Sequence, residues 1–156
     1  MSNYKKCIYE IAKEHMLYAI GKIKCVDNNV GLYDVPVYSI IFNEKKIIAE
    51  SPNINKKHAE EIVLNDIDND NDNYNNLSIL ITLEPCPSCA FKILKEPRIK
   101  NIFFGGFNYL YGSLGGKINL SNIISSKINI YGGIYKETNE NIVKLFFKNL
   151  RNNKLK

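Results

Sequence analysis

The stretch LSILITLEPCPSCAFKILK, residues 77–95, decides how this chain is read. LSILITL (77–83) is an apolar run of strand length, bounded by polar residues, and predicts a buried strand. PSCAFKILK (87–95) predicts a helix, and Pro87 suits its first turn because the N–H it lacks would go unpaired there. Between the two stand Cys86 and Cys89, with Pro85 and Pro87 on either side of the first cysteine. Two thiols three positions apart at a helix start can reach one ion, and free N–H groups at that end favour the thiolate form.

Working outward, the same alternation recurs. Residues 4–20 read as an amphipathic helix, with apolar positions at Cys7/Ile8, Ile11/Ala12, Met16 and Ala19/Ile20 and with Gly21 as its C-terminal stop. VPVYSIIF (35–42) and KIIAE (46–50) read as strands of a hairpin around the NEK turn. HAEEIVLND (58–66) is a short helix, followed by the polar loop DIDNDNDNYNN. RIKNIFFGG (98–106) and SKINIYGG (126–133) are strands, and 136–153 is a closing helix with Ile142, Val143, Phe146, Phe147 and Leu150 on its apolar face. The order α-β-β-α-β-α-β-β-α predicts an α/β domain with helices on both faces of a mostly buried sheet. No internal repeat or boundary divides it, so residues 1–156 read as one domain.

Upstream of the cysteines stands KHAEEI, with His58 opening a helix and Glu60 two positions on. His-x-Glu followed by Pro-Cys-x-x-Cys, each half opening a helix, is the signature of zinc deaminases. Zinc takes nitrogen and sulfur ligands in a tetrahedron, and three protein ligands, here His58, Cys86 and Cys89, leave the fourth position to water. Glu60 is then the acid–base group, taking a proton from that water and passing it to the substrate. Cys-x-x-Cys alone is also the pattern of a redox pair, but the preceding Pro and the upstream His-x-Glu favour the metal. A closed structural site would need a fourth ligand, for which Cys7, His15 and Cys25 are the candidates. Asp66, Asp68 and Asp70 imitate the opening of a calcium loop. Asn71 and Leu77 occupy the positions where such a loop needs Gly and Glu, so the segment reads as a solvated loop.

The chain has 156 residues, 45% of them hydrophobic, and a net charge of +5. That length buries enough surface to need no disulfide staples. No apolar run approaches the ~20 residues of a membrane span. The opening MSNYKKCIYEIAKEHM has no apolar core followed by a small-residue cleavage site, which predicts no signal peptide and a cytoplasmic location with reduced thiols. The positive charge is compatible with a polyanionic partner.

Taken together, these motifs resemble the tRNA-specific adenosine deaminases of bacteria, over nearly the full length. DVPVYSIIFNEKKIIAES (34–51) resembles the family's EVPVGAV strand and hairpin, and HAEEI with ITLEPCPSCA matches the two halves of its metal site. RIKNIFFGGFNYLYGSLGG (98–116) resembles its strand and GARD loop, and INIYGGIYKETNENIVKLFFKNLR (128–151) its ending. The resemblance implies a cytidine deaminase-like three-layer α/β/α fold with a mixed five-stranded sheet. It also implies a hydrolase that converts adenosine to inosine at the wobble position of a tRNA anticodon. One zinc ion per chain, a homodimer and a base turned out of the anticodon loop follow from it too. Asn53 stands where the family's base-contacting Asn does, and Asn108 falls on the wall of the substrate pocket.

The chain departs from the family at NINKKHAE (53–60), where DPTAHAE is usual, at Ser88 in place of Met, at Asn108 in place of Asp and at Phe107 in place of Arg. The PCPSC pair also occurs in deaminases of free bases and nucleotides, so a deaminase of guanine, cytosine or dCMP is the alternative. A non-catalytic RNA-binding subunit that keeps zinc for stability leaves Glu60 without a purpose. For RNA, Lys144, Lys148 and Arg151 share a helical face opposite the Phe146/Phe147 stripe, where Lys148 and Arg151 can meet phosphates. The same cations also complement a helix end. Phe107, Tyr109 and Tyr111 in a Gly-rich loop can stack on unpaired bases or pack on a second subunit.

Overall fold

A computed structural model describes residues 3–26, 34–69, 74–124 and 127–154 of the chain. The elements are α1 (Asn3–Val26), β1 (Tyr38–Asn43), β2 (Lys46–Pro52), α2 (Ala59–Asn69), β3 (Leu77–Leu83), α3 (Pro87–Lys95), β4 (Ile99–Gly106), a 3-10 turn (Leu120–Asn122), β5 (Asn129–Gly132) and α4 (Lys136–Lys154). The five strands form one sheet in the order β2-β1-β3-β4-β5. β1 runs antiparallel to both β2 and β3, whereas β3, β4 and β5 are parallel. This is the cytidine deaminase-like α/β fold.

Alternation along the strands splits the core in two. Ile41, Ile79, Ile81, Ile102 and Phe104 face α2 and α3, while Tyr38, Ile40, Phe42, Leu80 and Phe103 face α1 and the start of α4. Both faces of the central strands are therefore dry, which is why β3 reads as a continuous apolar run instead of an alternating one. One consequence of the pairing places the site. Because β1 is antiparallel to β2 and β3, strands β2, β3, β4 and β5 all point the same way, and their carboxyl ends gather at one edge, where open α/β sheets bind ligands.

Three expected boundaries shift. Helix α1 continues through Gly21 to Val26. Ile20 and Ile23 on either side are buried against the sheet, and that packing outweighs the ~1 kcal/mol preference for Ala over Gly in a helix. Lys22–Val26, expected as loop, is thus helical, and the rest of that loop lies outside the described residues. β1 begins at Tyr38, because the Val37 N–H turns back to the Val35 carbonyl (2.8 Å) around Pro36. Asp66 and Asp68 belong to α2, where Arg98 pairs with Asp68 and donates to the Ile67 carbonyl. Asp70 and the centre of the acidic segment lie outside the described residues.

Candidate active site

The residues around the metal motif come from three loops at that common edge. β2 ends at Pro52 and leads through a tight turn to α2. In this turn Ile54 and Lys57 exchange backbone hydrogen bonds (3.2 and 2.9 Å), and Asn55 and Lys56 between them have φ of 52° and 66°. Two positive φ values under such a pair are those of a type I′ turn, which Asn tolerates and Lys rarely adopts. The short NINKKH connection is therefore a compact hairpin turn, braced by Asp34 accepting the Lys56 N–H at 3.0 Å. His58 follows, its carbonyl receiving the N–H groups of Glu61 and Ile62 in the first turn of α2.

The second loop joins β3 to α3. Cys86 is the N-cap residue of α3, its side chain makes no capping bond, and Pro87 occupies the first turn. That leaves the thiol free to turn toward His58. The His58 Nδ1 lies 3.3 Å from Cys89 Sγ and 3.5 Å from Cys86 Sγ, and all three ligand atoms fall within 4.8 Å of one another. A zinc ion with bonds of ~2.3 Å to sulfur and ~2.05 Å to nitrogen needs nitrogen–sulfur separations of about 3.6 Å in a tetrahedron, so this donor set fits zinc. Cys89 is buried, Cys86 half-buried and His58 exposed, which leaves the site open on the His58 side. The hydrogen bond from Cys89 pulls Cys86 down to about 4, and its bond with Cys86 together with burial pushes Cys89 up.

No fourth ligand joins them among the described residues. Cys7 is exposed on α1, and the His15 ring packs edge-on against Phe42 at 4.7 Å beneath the same helix. Cys25 lies in the last turn of α1, not in a loop, and its side chain is outside the described residues. Glu60, 4% exposed, sits in the first turn of α2 beside the thiols, and burial raises its carboxyl above the ordinary range.

A cavity of about 760 Å³ opens over this group, with His58, Glu60 and Cys86 on its floor. Asn53 and Asn108 both line it, and both amides are already engaged. Asn53 Nδ2 donates to the Val35 carbonyl (2.9 Å), and its Oδ1 accepts the Ala59 N–H (2.8 Å). Asn108 Oδ1 accepts the Tyr111 N–H at 3.0 Å. Phe107 and Tyr109 stack at 6.2 Å along the wall, with the Lys136 ammonium over both rings.

Helix α4 supplies the outer wall through Val143, Lys144, Phe147 and Arg151. Here the expected face is corrected. Phe147 does not lie opposite Arg151 but one turn below it on the same side, because four residues advance the helix by only 40° beyond a full turn. Lys148, 60° beyond Arg151 round the helix, is exposed and absent from the lining. The apolar face of α4 is only partly buried: Ile142, Val143, Phe146 and Leu150 are half-buried and Phe147 is 42% exposed. Glu84, noted in the sequence only as part of LEPC, is buried at the base of the cavity.

No family model matches the chain. It is 32% identical over 130 residues to a tRNA-specific adenosine deaminase of Rickettsia felis, covering 76% of this chain and 90% of that one. The chain belongs to the tRNA-specific adenosine deaminase family. A relative with the same name in Haemophilus influenzae is 28% identical over 156 residues, covering 93% of this chain and 88% of that one. Among solved structures, one from work on A-to-I editing by tRNA:A34 deaminases superposes with a TM-score of 0.66 at 19% identity, covering 83% of this chain and 99% of the other. A deaminase/reductase of Thermotoga maritima reaches 0.68 at 21% identity, covering 88% of this chain and 40% of its own. At these identities the structural matches speak for the fold. The family membership rests on sequence.

Proposed function

We propose that this protein deaminates adenosine to inosine at the wobble position of a tRNA anticodon, within a single zinc-dependent deaminase domain spanning residues 1–156. The observation that carries the reading is the buried Glu60 beside a His58–Cys86–Cys89 donor set, at the floor of a cavity large enough for a purine nucleoside. His58, Cys86 and Cys89 would hold one zinc ion, which when bound would supply Lewis-acid activation of water.

The chain's own groups do the rest. Glu60 takes a proton from water as its oxygen bonds to C6 and delivers it to the purine ring nitrogen, then moves the second proton of that oxygen to the amine, which leaves as ammonia as the C6–N bond breaks. Its raised pKa, caused by burial, suits a carboxyl that must both accept and return a proton. Asn53 and Asn108 orient the base with the hydrogen-bonding positions their internal contacts leave open, since an amide has two acceptor sites and two N–H donors. Arg151 and Lys148 meet the phosphates of the anticodon loop from α4, Arg151 at the cavity mouth and Lys148 beside it.

Exposed Phe91, Leu110, Ile118 and Ile123 support a homodimer that covers them. No helix among the described residues is long and apolar enough to cross a membrane, and a tRNA substrate supports a cytoplasmic location. Incubating the zinc-loaded protein with an anticodon stem-loop bearing adenosine at the wobble position, beside Glu60→Ala, tests the reading through A-to-G conversion in cDNA. Conversion by the unaltered protein alone is the expected result. No conversion by folded, zinc-loaded protein would point instead to a free base or nucleotide as substrate.

A further inference from the structure

Glu84 has no role in metal chemistry, yet it is 2% exposed at the end of β3. None of the described ion pairs includes it. Burying a carboxyl group so thoroughly is costly unless hydrogen bonds replace its water. Here they come from one loop. Glu84 Oε1 accepts the backbone N–H groups of Leu114 (2.8 Å) and Gly116 (2.7 Å), and Oε2 accepts that of Asn108 (3.1 Å). The main chain on either side joins in: the Glu84 N–H donates to the Gly106 carbonyl, and the Pro85 carbonyl accepts the Ser113 N–H. Two glycines make room. A Cβ at Gly112 or Gly116 would stand 2.2 or 2.1 Å from Glu84 Oε2.

We propose that Glu84 is a positioning residue for base recognition. Segment 108–116 pairs with no strand of the sheet, so the carboxyl group replaces a ladder and holds Asn108 at a set distance from Cys86, two residues along the chain. The wall that meets the substrate is thereby locked to the element that holds the metal. The effect on turnover rests on the deaminase reading above; the effect on the loop does not.

The test uses zinc-loaded protein and the variants Glu84→Gln and Gly116→Ala. Gln preserves shape but turns one accepting oxygen into a donor facing an N–H, and Ala drives a methyl group into the carboxyl from the loop side. Amide hydrogen exchange at Asn108, Leu114 and Gly116 is expected to quicken at least about tenfold in both, with β3 and α3 amides and zinc content unchanged. On the RNA stem-loop, kcat/KM is expected to fall on the order of 30-fold, as misplacement of a positioning group does. Combining Glu84→Gln with Asn108→Ala is expected to cost no more than about threefold beyond the worse single change, because both act on one contact.

Unchanged exchange, lost zinc, or multiplicative losses in the double variant would each overturn the proposal. Should Glu84→Gln not fold, Gly116→Ala carries the exchange test and takes its place in the cycle with Asn108→Ala. Should the unaltered protein be inactive on RNA, the deaminase reading fails and the exchange result alone decides whether Glu84 holds the loop.

Discussion

Asn53 accepts the backbone N–H of Ala59 through Oδ1 at 2.8 Å. Ala59 lies between the candidate metal ligand His58 and the acid–base candidate Glu60, so this bond sets where α2 begins. Through Nδ2 the same side chain grips Val35, ahead of β1. A residue expected to meet the substrate is therefore also a brace for the metal site. Asn53→Ala is expected to weaken zinc binding about 10-fold or more in a chelator competition, the usual effect of removing a group that orients a ligand. Asn53→Asp keeps the acceptor for Ala59 and should recover most of that affinity. Unaltered zinc affinity in Asn53→Ala would remove the bracing role.

Glu60→Gln keeps the shape of the side chain and removes its ability to carry a proton. Turnover is expected to drop by at least about 10²-fold, the usual worth of general acid–base catalysis. Zinc content and thermal midpoint should stay at their original values. Turnover within a few-fold of the unaltered protein would take Glu60 out of the reaction.

Removing a thiol should act on the metal first. Cys86→Ala leaves two ligands, and zinc measured by atomic absorption is expected to fall from about one per chain toward zero after dialysis. The thermal midpoint should fall with it, because metal affinity contributes to folding stability. Retention of zinc at the original ratio would mean that another residue completes the site.

Arg151 stands at the cavity mouth and Lys148 on the flank of the same helix. Replacing either by Ala is expected to reduce the slope of log affinity against log salt by about 0.7 for single-stranded loop RNA, one phosphate contact in each case. Slopes unchanged in both variants would confine these cations to balancing the helix end.

His15 offers a pH test remote from the metal. Its Nε2 is buried with no hydrogen-bond partner among the described residues, and burial lowers its pKa below 6.5 despite Glu14 and Glu50 nearby. The folded state thus prefers the neutral ring, while the unfolded chain binds a proton near pH 6.5. This contribution to stability is complete above the unfolded pKa and is lost as pH falls from there toward the folded pKa. Urea unfolding of His15→Leu should show a shallower loss of stability than the unaltered protein over that window. Parallel curves would show that His15 titrates alike in both states.

The strand 77–83 and the helix 87–95 were legible to the residue, because a seven-residue apolar run and a proline-started helix are local signals. The end of α1 was not, since Gly21 signals a stop that only the burial of Ile20 and Ile23 overrides. The convergence of His58, Cys86 and Cys89 was legible because coordination chemistry restricts both residue type and spacing. Glu84 was hidden for the opposite reason. Its partners are backbone N–H groups 24 to 32 residues away, and a backbone group carries no mark in the sequence.

What the sequence determined by itself is the chemistry: thiols, imidazole and a carboxyl group in a pattern that zinc deamination demands, on elements whose periodicity is local. Only the tertiary structure decided that β2, β3 and β4 end at one edge, that Phe147 and Arg151 share a wall, and that Asn53 and Glu84 brace the site they border. Strand direction and cavity shape come from packing between residues far apart in the chain, and no local pattern encodes them.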